Sequence, residues 1–343
     1  MALESDVVLN IPKFNVNSIP EDVREFNKKF AALTGNAPAW YDIGPSKYRE
    51  MNLKGETAFP APVLLDCASP FQVPSREAGR TIPCRVIRPE GDTPVKGVFM
   101  HIHGGGWVLA SEAHQDGPLK QIVDALSMAT ISVGYRLAPE HPFPAAPEDC
   151  YDVAEWLVDN AEKEFGAPLK FICGDSAGAQ LTTLSALHLL SHESPKYSQF
   201  QLKGLLLNFG VFDLSKTPSC FTFKRSPAIV LDEGEMDKFI DAFLPDKSFN
   251  RKSPSVSPLY FNFSALPPAT KLPPALFLCG TEDLLLDDTV FMSAKWQMAG
   301  GEAIVKIVPG APHGFIGFPP DSFQGVLEGL ETVSTFLEEK VGS

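Results

Sequence analysis

The sequence predicts an α/β fold with a mostly parallel central sheet of about eight strands, flanked by helices. Two observations lead to this prediction. Apolar runs of five or six residues recur between residues 98 and 308, and most are continuous, as expected for strands covered on both faces. Segments with helical spacing of apolar residues separate these runs, and strands that alternate with helices form parallel sheets with right-handed crossovers.

Eight apolar runs are interpreted as the strands. Only a short turn separates the first two, which is typical of antiparallel strands at one edge of a sheet. The predicted strands cover residues 64–72, 81–88, 98–102, 130–134, 169–173, 204–208, 275–279 and 303–308. The predicted helices of the alternation cover residues 117–127, 147–163, 177–191, 288–299 and 323–340, and two more, outside it, cover residues 20–33 and 233–244.

Two segments do not fit the alternation, residues 1–60 and residues 211–258. The second is inserted between two strands that should lie close together in the sheet, so it has to project outward. Its several phenylalanines either line an apolar pocket or form the segment's own core. We therefore expect an α/β core built from residues 61–210 and 259–343, with residues 1–60 and 211–258 forming a helical lid over the strand ends.

Composition and charge exclude several classes of protein. The chain has 343 residues, 44% of them hydrophobic and 21% charged, which excludes collagen, coiled coils and disordered chains. The formal net charge is −13 without a dense run of Lys and Arg, so a nucleic-acid partner is not expected. No apolar stretch approaches the ~20 residues of a membrane span, and the N-terminal residues lack a secretory pattern, so we expect a cytoplasmic location. No feature indicates an oligomeric state.

Residues 174–178 (GDSAG) match the pattern G-x-S-x-G. Alone the pattern is weak, and an ordinary glycine-rich turn is the competing interpretation. Here, however, a predicted strand precedes it and a predicted helix follows it, which is the context of a nucleophile elbow. Such a turn is so tight that its flanking positions must lack side chains, and it raises the serine oxygen, here of Ser176, above the sheet edge.

Residues 103–107 (HGGGW) directly follow the predicted strand 98–102. Three consecutive glycines let backbone N–H groups point inward, and such a loop can donate hydrogen bonds to an oxyanion. A phosphate-binding loop is the competing interpretation, but no Gly-Lys-Ser/Thr follows and no acidic ribose partner stands at the expected spacing. Zinc at His101 and His103 is not favoured, because no further ligand follows at metallo-hydrolase spacing. We expect no cofactor.

A serine nucleophile needs a base and a group that orients the base. His313 follows the last predicted strand, at the sheet edge where Ser176 is expected. Acidic candidates for the orienting group follow the preceding strand. Asp283 stands closest to the end of that strand, whereas Asp287 and Asp288 are expected to cap the next helix.

With these motifs the sequence resembles the hormone-sensitive-lipase-like carboxylesterases, a branch of the α/β-hydrolases. The resemblance covers most of the chain from about residue 95. It rests on the HGGGW loop, the Ser176 elbow, and the segments 135–146, 283–287 and 313–315. The order serine, acid, histidine is also that of α/β-hydrolases. One departure is Ala179-Gln180, which replaces the usual Gly-Asn after the elbow.

The resemblance implies an α/β-hydrolase fold and assigns roles to individual residues. It implies Ser176, Asp283 and His313 as a catalytic triad. It implies a further set that forms and supports an oxyanion hole: the N–H groups of Gly105, Gly106 and Ala177, with His103 and residues 135–146 behind the loop.

The expected activity is that of a serine carboxylesterase, which hydrolyses carboxylic esters of small molecules through an acyl-enzyme. A lid over the strand ends would limit chain length, so short- to medium-chain acyl groups are expected. A lactonase, an amidase or an acyltransferase on the same triad is the main alternative. A non-hydrolytic enzyme of natural-product metabolism is another, although such members often lose the serine. The related plant hormone receptor lacks the catalytic histidine, which is present here as His313.

Overall fold

The computed structural model of the protein describes residue 5 and residues 7–223, 228–267 and 270–342. Its described strands form one sheet in the order β1-β2-β4-β3-β5-β6-β7-β8. Their bounds are β1 Ser69–Pro74, β2 Thr81–Ile87, β3 Val98–Ile102, β4 Ala129–Val133, β5 Leu169–Asp175, β6 Gly204–Asn208, β7 Ala275–Glu282 and β8 Ala303–Pro312. The pairs from β4 to β8 are parallel, and β2 is antiparallel to both β1 and β4. The predicted fold class is confirmed.

The helices follow the predicted ones to within a few residues and add several short ones. The α-helices are α1 Glu21–Thr34, α2 Trp40–Ile43, α3 Pro45–Leu53, α4 Asp116–Leu126, α5 Ala145–Phe165, α6 Ala177–Leu190, α7 Pro195–Ser198, α8 Pro218–Thr222, α9 Glu233–Phe243, α10 Leu286–Met298 and α11 Gln324–Gly342. Short 3₁₀ turns cover Ile11–Phe14, Val16–Ser18, Pro258–Tyr260, Phe263–Ala265 and Phe315–Gly317. Among the helices described, none combines the length and the apolar character that crossing a bilayer requires.

Helices cover both faces of the sheet, which explains why its strands are continuously apolar. Alternate residues of a strand point to opposite faces. In β3, Met100 belongs to the core cluster shared with α5, α6 and α10, whereas its neighbour Phe99 belongs to the cluster shared with α4 and α11. Both side chains are fully buried.

The first predicted strand, 64–72, is wrong at its start, because β1 begins only at Ser69. Residue 65 instead belongs to a loop held by ionic side chains. The Leu65 N–H donates to the Asp116 carboxylate (2.9 Å), and Arg85 donates to both the Leu65 carbonyl and Asp116. Hydrogen bonds to side chains therefore replace the strand-to-strand backbone hydrogen bonds that the apolar run predicted for these residues.

Strands β7 and β8 extend further than predicted, and this matters for the site. The predicted strands ended at residues 279 and 308, but β7 runs to Glu282 and β8 to Pro312, and these two residues are paired. The extension brings Asp283 and His313 directly after two neighbouring strand ends, at the carboxyl edge of the sheet.

The two segments that interrupt the alternation occupy different places. Helix α1 packs at the β8 edge: Val23 is fully buried in the cluster that contains Phe315 and Val326, and Asn27 Nδ2 donates to the Gly310 carbonyl (2.9 Å). Residues 1–60 also contain α2 and α3, so the prediction of one helix there was incomplete. Residues 1–4, 6 and 224–227, which belong to the predicted lid segments, lie outside the described residues.

Asp287 and Asp288 do not cap α10, so that prediction is wrong. The helix begins at Leu286, and both carboxylates lie in its first turn. The fully buried Asp288 accepts hydrogen bonds from the N–H groups of Phe212 (2.6 Å) and Asp213 (2.9 Å). Asp287 accepts one from the Ser219 N–H (2.8 Å). These side chains fix the start of segment 211–258 to the core.

Candidate active site

The elbow begins where β5 meets α6. Ser176 has φ 55° and ψ −119°, a conformation that L-residues rarely adopt and that marks a functional turn. A Cβ on Gly174 would stand 2.1 Å from the Gly178 carbonyl oxygen, and one on Gly178 would stand 2.0 Å from the Ile102 carbonyl oxygen. Both flanking positions therefore require glycine, as the motif predicts.

Three predicted side chains meet at the carboxyl edge of the sheet. The Ser176 hydroxyl donates to His313 Nε2 (2.9 Å), and His313 Nδ1–H donates to Asp283 Oδ2 (2.8 Å). Asp283 is buried, and its other oxygen accepts the Leu285 N–H (2.9 Å), so this carboxylate is held in place. The Phe209 ring packs edge-on against the His313 ring at 5.2 Å between centroids. This arrangement can transfer a proton from the serine to the imidazole.

The HGGGW loop lies beside the serine. Gly105 and Gly106 have φ +98° and +59°, and a Cβ on Gly104 would stand 3.4 Å from Ser176 Cβ. The Tyr135 hydroxyl fixes the loop from behind by donating to the His103 carbonyl (2.9 Å). Within the part of the chain that the structure describes, no residue accepts a hydrogen bond from the N–H of Gly105 or Gly106.

His103 is buried beneath this loop and is not paired with His101. Its Nδ1–H donates to the Gly104 carbonyl (2.8 Å), and its ring stacks on Tyr135 at 4.2 Å between centroids. Burial lowers the pKa of His103 to about 3. The ring is therefore neutral at physiological pH and supports the loop by packing and by one hydrogen bond.

Gln180 joins the loop to the elbow helix and to segment 211–258. It accepts a hydrogen bond from Trp107 Nε1 (3.0 Å) and donates one to the Val256 carbonyl (2.7 Å), and all these groups are buried. Gln180 stands where the sequence departs from the family pattern, and this departure was a signal that could have drawn attention to the residue. Sequence reasoning did not identify this contact, because it joins residues more than 70 positions apart.

His101, Cys173 and Asp175 lie beneath the elbow, with possible metal-ligand atoms within 4.8 Å of one another. These atoms already have protein partners. His101 contacts Asp175 Oδ2 (3.1 Å) and Ser132 Oγ (3.3 Å), and Asn208 Nδ2 donates to Asp175 Oδ1 (2.9 Å). Burial holds the pKa of Cys173 well above its usual value, and a protonated thiol is a poor ligand. The group fits a hydrogen-bond network that holds Asp175 better than it fits a metal site.

One cavity of about 660 Å³ opens onto the serine. Its walls include Ser176, His313 and the three glycines of the loop. Segment 211–258 contributes Phe239 to the wall, whereas Phe212 and Phe243 are fully buried in the core. Two further lining residues, Arg49 and Glu235, were not predicted, because the sequence alone does not show which faces of α3 and α9 meet the cavity.

The chain is similar to known proteins over most of its length. Residues 99–317 match the family model of the alpha/beta hydrolase fold. An esterase of Gibberella moniliformis is 30% identical over 84% of this chain and 88% of its own. The ethyl acetate hydrolase of Pseudomonas putida is 29% identical over 73% of this chain and 76% of its own. Among solved structures, a hyperthermophilic esterase from the archaeon Pyrobaculum calidifontis superimposes with a TM-score of 0.78 at 26% identity, covering 94% of this chain and 99% of that one.

The family model covers more than half of the chain, and the relatives named as an esterase and as an ethyl acetate hydrolase align with most of it. Together with the fold, these similarities establish a carboxylic ester hydrolase. The chain belongs to the hormone-sensitive-lipase-like carboxylesterases of the α/β-hydrolase superfamily.

Proposed function

We propose that the protein is a serine carboxylesterase that hydrolyses short- to medium-chain esters of small molecules through an acyl-enzyme. Its triad is Ser176, His313 and Asp283. The observation that carries the proposal is the unbroken hydrogen-bond chain from the serine hydroxyl through both ring nitrogens of the histidine to the buried carboxylate. A strained elbow that exposes the serine to the cavity supports it.

In the first step the Ser176 oxygen attacks the ester carbonyl, and His313 Nε2 takes the hydroxyl proton. Asp283 holds the ring with Nδ1–H toward its carboxylate, so that Nε2 is free to accept the proton, and it stabilises the imidazolium that forms. The bond to the alcohol oxygen then breaks. The imidazolium returns its proton to that oxygen, and the acyl group stays on the serine.

The tetrahedral oxyanion is stabilised by the N–H groups of Gly105, Gly106 and Ala177. Ala177 is the first residue of α6, where N–H groups have no partner within the helix and the helix dipole favours negative charge. Loss of one such donor typically costs about 10²–10³ in kcat. In the second half-reaction His313 takes a proton from water, and the water oxygen attacks the acyl carbonyl. The bond from the acyl carbon to the Ser176 oxygen then breaks, the imidazolium returns its proton to that oxygen, and the acid leaves.

Residues 1–60 and 211–258 act as the lid in this proposal. Tyr48 of α3 and Phe239 of α9 line the cavity, which supports a role of both segments in substrate selection. Helix α1, by contrast, packs on the β8 edge, so its part of the first segment braces the sheet. The name of the Pseudomonas putida relative, an ethyl acetate hydrolase, supports short acyl groups as substrates.

Hydrolysis of p-nitrophenyl esters of increasing acyl length tests this proposal. We expect the highest kcat/KM between the acetate and the octanoate, a fall at the palmitate, and the same rates in EDTA. Turnover of the butanoate should exceed that of a matched anilide and of a matched lactone. A maximum at the palmitate would contradict the acyl-length proposal. Preference for the anilide or the lactone would contradict the esterase proposal. A loss of activity in EDTA that added zinc restores would contradict the metal-free mechanism.

A further inference from the structure

Glu235 is an acidic side chain in the wall of the catalytic cavity. It lies in the first turn of α9, four residues before Phe239, and residues four apart share one face of a helix. The Phe239 ring lies against Gly106 of the HGGGW loop. The face of α9 that carries Glu235 is therefore the face that meets the loop, and Glu235 lies about one helical turn, roughly 6 Å, along it.

The carboxylate of Glu235 is not used by the helix itself. Asp232 caps α9 by accepting the Glu235 N–H (2.8 Å). In a full capping box the third residue would return this bond by accepting the N–H of the capping residue. No described residue donates a hydrogen bond to the Glu235 carboxylate, and none forms an ion pair with it. Its neighbours in the cavity wall include the apolar Val230, Leu231 and Met236.

Among the described residues, the charged and titratable groups that face Glu235 do not pair with it. Burial and, to a smaller extent, the nearby Asp232 raise the pKa of Glu235 to about 7, against the opposing effect of His313. Tyr48 and Tyr41 also face it: burial raises the pKa of both phenols, and the charge of Glu235 adds to this increase. A largely buried carboxylate with no Lys or Arg of the described residues paired to it is costly, so its presence in this wall favours a ligand that supplies a cation.

We infer that Glu235 determines specificity by selecting esters whose alcohol part carries a protonated amine or a quaternary ammonium. The inference rests on the proposed esterase function. The cation belongs to the alcohol part because His313 must protonate the leaving oxygen, so the alcohol lies next to His313. Glu235 is near enough to His313 for their charges to interact. The Phe239 and Tyr48 rings, which also line the cavity, offer faces that attract such a cation.

The test compares two esters of nearly equal shape, acetylcholine and its uncharged carbon analogue 3,3-dimethylbutyl acetate. We expect the wild-type protein at pH 8 to prefer the cationic ester in kcat/KM. In Glu235→Gln, which keeps the side-chain shape, the cationic-to-neutral ratio should fall about tenfold or more. Asp237→Asn is the matched control. It removes a charge from the same helix, but Asp237 pairs with Lys216 (2.8 Å), lies outside the cavity wall and should leave the ratio unchanged.

A binding measurement separates this inference from the esterase proposal. Calorimetric titration of acetylcholine into the Ser176→Ala variant should give a measurable affinity. In the double variant that also carries Glu235→Gln, this affinity should be about tenfold weaker. If the wild type hydrolyses neither ester, the esterase proposal fails while this titration still decides the role of Glu235. An unchanged ratio in Glu235→Gln, or equal affinity of the two Ser176→Ala proteins, would overturn the inference. An equal fall of the ratio in Asp237→Asn would overturn it as well.

Discussion

The ring of Phe239 lies so close to Gly106 that a Cβ added to this glycine would stand 2.2 Å from the ring carbon Cδ1. Helix α9 of segment 211–258 therefore rests directly on the loop whose N–H groups are proposed to hold the oxyanion. Phe239 also stacks on Trp40 of α2, at 4.9 Å between ring centroids. Through this stack the segments 1–60 and 211–258 meet beside the HGGGW loop.

Gly106→Ala should lower kcat by at least about tenfold, because the new methyl group meets the Phe239 ring and the site requires φ +59°. Phe239→Ala in the same protein should restore part of that loss, since it removes the clash and leaves only the backbone strain. Steady-state kinetics on the two single variants and the double variant form the test. Strictly additive losses would show that the contact does not limit the loop.

Asp283→Asn should reduce kcat by orders of magnitude, because an amide can hold His313 in the wrong tautomer. The corresponding change in the best-characterised triad lowers kcat about 10⁴-fold. Asp287→Asn should cost far less, since Asp287 accepts a hydrogen bond from the Ser219 N–H and does not contact His313. Kinetics of the two variants on one aryl ester decide between them, and the reverse order of losses would refute the assignment of Asp283.

Acid should destabilise the protein partly through His103. Its folded pKa of about 3 lies below the ordinary 6.5, so the unfolded chain binds a proton that the folded protein does not. Stability is therefore fully present above pH 6.5 and falls below it, by up to about 1.4 kcal/mol per pH unit. His103→Phe should show a shallower loss between pH 7 and 5 in urea unfolding. The exposed His141→Phe is the control, and parallel curves for His103→Phe and wild type would contradict this origin.

Arg49 connects α3 to the chain behind the oxyanion loop. It donates to the carbonyls of Val108 (2.7 Å) and Ala138 (2.8 Å) and pairs with Glu140 (2.9 Å). Arg49→Met should lower kcat about tenfold with a smaller change in KM, because the chain behind the loop loses hydrogen bonds to the carbonyls of Val108 and Ala138. Glu140→Gln should change little, since exposed ion pairs contribute about 0–1 kcal/mol. Equal effects of the two substitutions would show that the ion pair with Glu140, and not the hydrogen bonds to the two carbonyls, positions this part of the chain.

Much of the site could be predicted because its signals are local or follow from topology. The Ser176 elbow needs only a strand, two glycines and a helix in sequence. Asp283 and His313 lie far apart in the chain, but both follow parallel strands, whose carboxyl ends meet at one edge. Their catalytic roles remain proposals, although the structure brings all three side chains into contact.

The remainder depends on contacts between distant segments, which spacing alone does not encode. Asp287 and Asp288 look like helix caps in sequence, yet they bind N–H groups about 70 residues away. Glu235 stands at the third position of an apparent capping box, yet its carboxylate faces the cavity. Only the packing of α9 on the loop shows which acidic residues of that helix meet the site.

Mass spectrometry after reaction with diethyl p-nitrophenyl phosphate tests most directly whether Ser176 is the nucleophile, because this reagent phosphorylates activated serines. We expect one diethylphosphoryl group per chain, on the peptide that contains Ser176, with activity lost in proportion to labelling. Ser176→Ala should fold normally by circular dichroism, resist labelling and hydrolyse no ester. A label on another residue, or more than a few per cent of the wild-type rate in Ser176→Ala, would contradict the proposed mechanism.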